Sequence, residues 1–441
     1  MDRLIVEGVR CFFSRQSVPL KPITLLVGEN SSGKTTFLAL ARIAWDLCTL
    51  RRRIDFNEDP FLLGASDQIA SFRGGRGGRA KCFTIGAQLA LDHRGMKKSA
   101  RELPDPVTVT GYFLAQEAQP KLDEWALDAG PLQLNMKSDE KEEVSSISII
   151  APSGSISIKD IRVYAPLLDI SQFLSFLHFI ISRKVREKRF ARVEGKISEG
   201  DLELLGSLTF RLPRSVGPRP YAFSPIRTRP QRTYEPLKDA PRPEGSHVPI
   251  LLAKTLSSDP EGWAQLKNSL ELFGEASGLF RDVEVRRLGQ KESDPFQIRV
   301  KISGPPFNLV DVGYGVSQVL PIVVDSLREP EGSTFLLQQP EVHLHPKAQA
   351  ELASFLALLA KQQRKRFLIE THSDYIVDRI RMDVRDRHYL TPNDVSILYF
   401  ERKKGGVIIH SLEIDNLGNI VDSLPGYRQF FLEEDKRLLG A

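Results

Sequence analysis

Three cysteines in 441 residues, Cys11, Cys48 and Cys82, are too few and too far apart for a disulfide framework, and they form no CxxC pair. Such usage fits a reducing compartment, and the expectation is a cytoplasmic chain. Long apolar runs are also missing: the most apolar stretch, Phe173 to Ile181, is about half of what a bilayer-crossing helix needs. The opening residues Met1 to Glu7 hold no basic-then-apolar signal, so neither export nor membrane embedding is expected. An excess of one charge is absent as well. The 61 Lys and Arg against 56 Asp and Glu leave +5, too small a margin to argue by itself for nucleic acid. There is no internal repeat and no heptad array long enough for a coiled-coil arm.

What is present is an ordinary globular composition, 41% hydrophobic and 27% charged. At roughly 100–200 residues per domain, the length allows several domains, or one large domain with an insertion. Ile23 to Val27 is a short β-rich run, then comes a Gly/Asn/Ser loop, and Thr36 to Trp45 has helical spacing. Thr334 to Leu337 forms a second buried-strand candidate. Pro346 opens a helix, and Phe367 to Ile369 starts a third strand. Strands alternating with helices imply a parallel sheet with right-handed crossovers, hence an α/β fold.

The middle of the chain reads differently. Alternating runs such as Val107–Thr110 and Ser146–Ile150 predict antiparallel strands, and residues 167–191 and 248–280 predict helices. Residues 206–245, rich in Pro and Arg, predict irregular structure, and Asp282–Val285 with Gln297–Lys301 predict a strand pair. The expected organisation is a split α/β core over residues 1–80 and 300–415, inserted β and helical subdomains over 81–300, and a tail over 416–441.

The strongest chemical signal is Gly28-Glu29-Asn30-Ser31-Ser32-Gly33-Lys34-Thr35, a full G-x-x-x-x-G-K-[ST] match between a strand and a helix. The glycines let backbone N–H groups turn around a phosphate, and the helix N-terminus adds positive potential. Gly28, Asn30, Ser31, Ser32, Gly33 and Thr36 are therefore expected to line ATP, with Lys34 on the β/γ-phosphates and the Thr35 hydroxyl on Mg2+. A glycine turn that merely caps a helix is the plainer reading.

A P-loop alone does not separate kinases, GTPases, helicases and ABC-type ATPases. Its companions here are Asp311-Val312-Gly313-Tyr314-Gly315-Val316-Ser317-Gln318, Phe335 to Pro346 with Gln338-Gln339-Pro340-Glu341-Val342-His343-Leu344-His345-Pro346, and Ile369-Glu370-Thr371-His372-Ser373. In this order they resemble the signature, Walker B with D-loop, and switch-histidine elements of ABC-type ATPases of the RecF/SMC superfamily, in its OLD-like stand-alone branch. Leu4 to Phe12 looks like that superfamily's first strand with its basic-aromatic exit. Ser224 to Arg232 looks like a stretch shared by stand-alone bacterial ATPases. The resemblance spans roughly residues 1–45 and 300–415.

It implies a head domain that pairs head-to-tail with a second copy, as a homodimer or higher homo-oligomer, holding ATP between one P-loop and the opposing signature loop. Gly313, Gly315 and Ser317 would then approach the γ-phosphate from the partner, although Gly313 stands where a signature serine is usual. A glycine-rich helix start inside the monomer is the alternative. His372 would hydrogen-bond the γ-phosphate, or else serve as a capping or core histidine. His343 and His345 fall in a structural turn by resemblance, with a metal pair as the other reading.

Walker B departs from the pattern. Gln338 falls at the metal-linked carboxylate and Gln339 at the carboxylate that positions or deprotonates the attacking water. An amide holds water but does not take its proton as a carboxylate does, so slow hydrolysis is expected. Glu341 either compensates or orients the loop.

Arg51-Arg52-Arg53, Arg73 with Arg76 and Arg79, Arg183 to Arg189, and Arg227 with Arg229 and Arg232 are basic clusters suited to phosphate backbones or to protein contacts. OLD-like relatives often carry a C-terminal nuclease, but only 69 residues follow His372, so none is expected here. The leading expectation is an ATP-binding sensor or scaffold that controls a separate effector, a nuclease, in bacterial anti-phage defence. A RecF-like DNA-repair ATPase binding DNA directly is the alternative, and a transporter's nucleotide-binding subunit is disfavoured.

Overall fold

The computed structural model describes residues 1–50, 54–75, 77–91, 105–115, 118–139, 143–159, 169–182, 192–236, 240–421 and 436. It divides into two compact units. The first comprises Met1–Leu20, Glu29–Arg219 and Phe400–His410; the second comprises Lys21–Gly28, Pro220–Tyr399 and Ser411–Ala441.

The chain opens with a hairpin, β1 (Arg3–Glu7) and β2 (Gln16–Pro19), followed by β3 (Ile23–Gly28) and α1 (Lys34–Thr49). A short α2 (Ser66–Ile69) leads into β4 (Cys82–Leu89), β5 (Val107–Leu114), β6 (Lys121–Ala129), β7 (Leu132–Ser138), β8 (Val144–Ala151) and β9 (Gly154–Lys159). Then come α3 (Ile170–Ser182), β10 (Arg192–Gly195) and α4 (Glu199–Val216). In the first unit, nine strands form one sheet in the order β10-β9-β8-β7-β6-β5-β4-β1-β2. Neighbours pair antiparallel throughout. The antiparallel expectation over 107–110 and 146–150 thus holds in β5 and β8. Alternation places Trp125, Leu127 and Ala129 of β6 in the core. Trp125 Nε1 donates to Leu47 O of α1 at 3.0 Å, which anchors the helix to this sheet.

One local expectation fails. The segment expected to be irregular from residue 206 is helical to Val216, and α4 runs through Pro213. Ser198 caps it by accepting from Asp201 N at 3.2 Å, while Leu204, Leu205, Leu208 and Leu212 bury one stripe. That stripe outweighs the one backbone donor that Pro213 removes near the helix end.

The second unit continues with β11 (Tyr221–Phe223), α5 (Val248–Ser258), α6 (Pro260–Ser277), β12 (Asp282–Arg287), β13 (Phe296–Lys301) and β14 (Phe307–Asn308). Next are α7 (Tyr314–Arg328), β15 (Thr334–Gln338), α8 (Pro346–Gln363), β16 (Arg366–Glu370) and α9 (Asp374–Asp386). The chain finishes with β17 (Val395–Lys403), β18 (Gly406–Ile414) and β19 (Ile420–Val421). Its main sheet has the order β11-β15-β16-β3-β17-β18-β19, and β12, β13 and β14 form a separate antiparallel sheet.

Strands β11, β15, β16 and β3 run parallel, as the alternation of strand and helix requires. Phe335 stacks on Phe367 of the next strand at 5.1 Å between ring centroids, and Phe223 lies 6.3 Å away on the other side. A single core joins strand residues such as Leu25 and Ile369 to Leu252, Leu270, Val323, Leu356 and Ile380 of the covering helices. Because α5 and α6 belong to this core, residues 220–299 pack with the P-loop strand. The expected 81–300 insertion is therefore shared between the two units, with the change at Arg219/Pro220. Among the described residues no helix is long and apolar enough to cross a membrane.

Phe335 is fully buried in the middle of this ring stack. Replacing Phe335→Ala should cost about 3–5 kcal/mol, as buried aromatic truncations do. Chemical denaturation should show the loss as a lower midpoint, and an unshifted midpoint would mean that the stack does not hold the sheet.

Candidate nucleotide-binding site

The loop after β3 is shaped by backbone conformations that few side chains tolerate. Gly28, Ser31 and Gly33 take φ values of 139°, 58° and 94°. Left-handed residues interleaved with ordinary ones turn successive N–H groups toward a common side, forming an anion cradle. A Cβ on Gly33 would stand 2.5 Å from Cys11 Sγ at a φ of 94°, so a side chain there would be strained and would displace the thiol. Lys34 begins α1, whose first turn holds no acidic residue to compete for the positive helix end.

Side chains of the first unit fix the loop from outside. Arg402 Nη2 donates to Asn30 O at 3.2 Å and to Ser31 O at 2.8 Å. Lys34, only 3% exposed, donates from Nζ to Glu29 O at 2.7 Å, which holds its ammonium at the loop. Arg10 bridges Thr36 Oγ1 (3.0 Å) and Leu63 O (2.8 Å). Ser32 Oγ is buried without a hydrogen-bond partner, an unmet polar atom inside the cradle. Phosphate oxygens would satisfy it, so the residues fit a polyphosphate. An open cavity of about 600 Å3 flanks Ser31 and is lined by Arg10, Arg79, Arg402, Lys403 and Lys404.

In the second unit, the Walker B amides occupy different settings. Gln338, 4% exposed at the end of β15, donates from Nε2 to Phe223 O at 3.2 Å. Gln339 follows in a left-handed conformation, φ 42°, and its N–H bonds Glu370 O at 2.8 Å. Glu341 and His372 meet through the backbone: Glu341 Oε1 accepts from His372 N at 2.8 Å, while the His372 residue is exposed. Burial pushes the Glu341 carboxyl up, and its Oε2 has no partner. Facing it is Arg227, whose three guanidinium nitrogens are buried without partners and whose pKa burial lowers to about 10. His345 Nδ1 accepts from Lys347 N at 3.3 Å at the start of α8, whereas His343 stands exposed at φ 66°. His343 lies beside Tyr314, with ring centroids 5.8 Å apart. Among the described residues no group of three or more His, Cys, Asp or Glu is placed to hold a metal.

The signature segment starts α7. Gly313 is its exposed cap, and a Cβ there would meet nothing within 4 Å. Gly315 differs, since a Cβ on it would stand 2.8 Å from His343 O. Its lack of a side chain is thus needed inside the chain itself, whatever approaches from outside. Ser317 Oγ donates to Tyr314 O at 2.9 Å and is largely buried in the first helical turn.

The 227/229/232 cluster divides into three roles: Arg227 is buried, Arg229 is exposed, and Arg232 forms a forked pair with Asp311 at 3.0 and 2.6 Å. Arg73 and Arg79 lie over Phe13 and Phe72. Arg51 to Arg53, Arg76 and Arg183 to Arg189 lie outside the described residues. Arg402 was not singled out by sequence; it reaches Ser31 from 371 positions away.

Two substitutions test the loop. Lys34→Ala should remove measurable ATP binding, and Arg402→Ala should weaken it by about tenfold, the effect of losing a charged donor of ~1.5 kcal/mol. Titration of a fluorescent ATP analogue reads both. Unchanged affinity in Arg402→Ala would show that this side chain does not hold the cradle.

Residues 172–378 match the family model described as "AAA domain, putative AbiEii toxin, Type IV TA system". No curated protein matches the chain. Among solved structures, the SMC head domain from Thermotoga maritima aligns at 12% identity and TM-score 0.41, covering 94% of this chain and 99% of that one. The Smc head domain with an extended coiled coil bound to the C-terminal domain of ScpA, derived from Pyrococcus furiosus, aligns at 13% identity and TM-score 0.47, covering 99% of each chain. The Smc head domain with a coiled coil and joint derived from Pyrococcus yayanosii aligns at 11% identity and TM-score 0.47, again over 99% of each. The P-loop pattern at residues 28–35 and the AAA-domain match over residues 172–378 thus fall in different parts of one chain.

Proposed function

We propose that this chain is an ABC-type ATPase that binds Mg-ATP at residues 28–36, pairs head-to-tail with a second copy around the nucleotide, and hydrolyses it slowly. The observation that carries this reading is the P-loop cradle: left-handed backbone at Ser31 and Gly33, an unmet Ser32 hydroxyl and a buried Lys34 ammonium. Mg2+ would be held by the Thr35 hydroxyl and the Gln338 amide oxygen, and it would neutralise charge on the β- and γ-phosphates. Lys34 orients those phosphates.

Gln339 holds the attacking water without accepting its proton, and loss of general-base help removes roughly 10²–10⁴-fold in rate. His372, whose backbone N–H bonds Glu341, would hydrogen-bond the γ-phosphate through its imidazole. Gly313 is exposed with room around it, which suits close approach by a second copy's phosphate. A long-lived ATP-bound pair is the natural output of such a machine. Its role is that of sensor or scaffold for a separate effector, a nuclease, in bacterial anti-phage defence, and the defence reading draws on the printed description of the matched family.

Light scattering tests the pairing. Wild type should double in mass with Mg-ATP, whereas Gly313→Trp should bind ATP and remain monomeric. Pairing that survives Gly313→Trp would contradict the head-to-tail arrangement. Phosphate release should be slow and should rise in Gln339→Glu; a brisk wild-type rate would contradict the weakened site. The purified chain should not cut DNA or RNA, and tight, salt-dependent DNA binding would shift the reading to direct DNA engagement.

A further inference from the structure

Buried polar atoms without a partner gather at one place in the second unit. Arg227, 3% exposed, has Nε, Nη1 and Nη2 without a hydrogen bond, and Oε2 of Glu341 is sealed from solvent without one. A guanidinium inside a protein is costly unless a counter-charge lies close. Among the described residues, the charge acting on Arg227 is that of Glu341, and the charge acting on Glu341 is that of Arg227.

Topology brings the two together. Strands β11 and β15 run parallel with Phe223 opposite Leu337, and Arg227 and Glu341 each stand four residues further along the chain. Gln338 Nε2 donates to Phe223 O at 3.2 Å, which ties the two strand exits to each other. The segment carrying Arg227 is fixed on both sides: Ser224 N donates to Pro243 O and Thr228 N to Glu244 O, both at 2.9 Å. Arg227 thus sits between two backbone anchors with its side chain inside the protein.

The second carboxylate oxygen is already in use. Oε1 of Glu341 accepts from His372 N at 2.8 Å, in the turn between β16 and α9. Burial pushes the Glu341 carboxyl up, while bonds from the backbone and from Thr371, together with the Arg227 charge, pull it back. An N–H bond to a charged carboxylate is about twice as strong as one to a neutral acceptor. The hold on the turn therefore depends on the charge of Glu341, and that charge depends on Arg227.

We propose that Arg227 is a positioning residue that acts through Glu341: its buried charge keeps the carboxylate ionised, and the ionised carboxylate fixes the turn that carries His372. All three residues belong to the second unit. The pairing stands on its own, and only its consequence for the γ-phosphate rests on the Mg-ATP reading above.

Amide hydrogen exchange around His372, followed by mass spectrometry, tests it, with the amides of Leu368 and Ile369 in β16 as internal reference. In wild type the His372 amide should be protected at pH 8, and the protection should fade as falling pH protonates Glu341. Arg227→Met should speed exchange at neutral pH by about tenfold, the loss of one charge-assisted bond. It should also move the fading to higher pH, because the carboxylate has lost its cation. Arg227→Lys should restore most of the protection, and Arg227→Gln gives the same reading as the methionine variant should that one not fold. Glu341→Gln should speed exchange at every pH, and adding Arg227→Met to it should change nothing further. Unchanged exchange in Arg227→Met, a speed-up independent of pH, or one that recurs in full on top of Glu341→Gln overturns the proposal. If exchange behaves as described while wild type binds no fluorescent ATP analogue, the pairing holds and the nucleotide reading fails.

Discussion

Parallel pairing of β15, β16 and β3 is the constraint on which the rest of the second unit depends. Parallel neighbours must be joined by crossovers, and here each crossover carries a helix whose apolar face closes over the sheet. The same pairing brings every strand's carboxyl end to one edge. Gln338, Glu370 and the start of the phosphate loop thus reach their places through backbone register before any side-chain interaction is considered. The stacked rings of Phe223, Phe335 and Phe367 secure that register from within the core.

The loop itself depends on a different device. A turn with several left-handed residues costs conformational energy and persists only where its surroundings hold it. Here Arg402 occupies the carbonyls of Asn30 and Ser31, and Lys34 occupies that of Glu29. With its carbonyls committed on one side, the loop presents its N–H groups on the other. The Arg232 pair with Asp311 plays a similar part in the second unit, fastening the Pro-rich stretch to the segment before α7.

Much of this was legible in the sequence because the signals were local. The P-loop spacing, the 346–363 helix and the alternating strands each follow from periodicity within one element. What escaped was set by distant partners. Arg402 has no local mark of its contact with the loop. Arg227 reads as one more cation in a basic run, although it is buried beside Glu341. Gly315 reads as a glycine for a partner's phosphate, although His343 O already requires it. The helix through Pro213 escaped for the opposite reason: a local breaker was overruled by a buried leucine stripe.

The central claim is a nucleotide site built to bind and retain ATP more readily than to turn it over. Its most direct test is to load wild-type protein with radiolabelled ATP and Mg2+, strip free nucleotide by rapid gel filtration, and identify what stays bound. The account predicts stoichiometric nucleotide retained mainly as intact ATP over many minutes. Retention of ADP alone, or of no nucleotide, would contradict it.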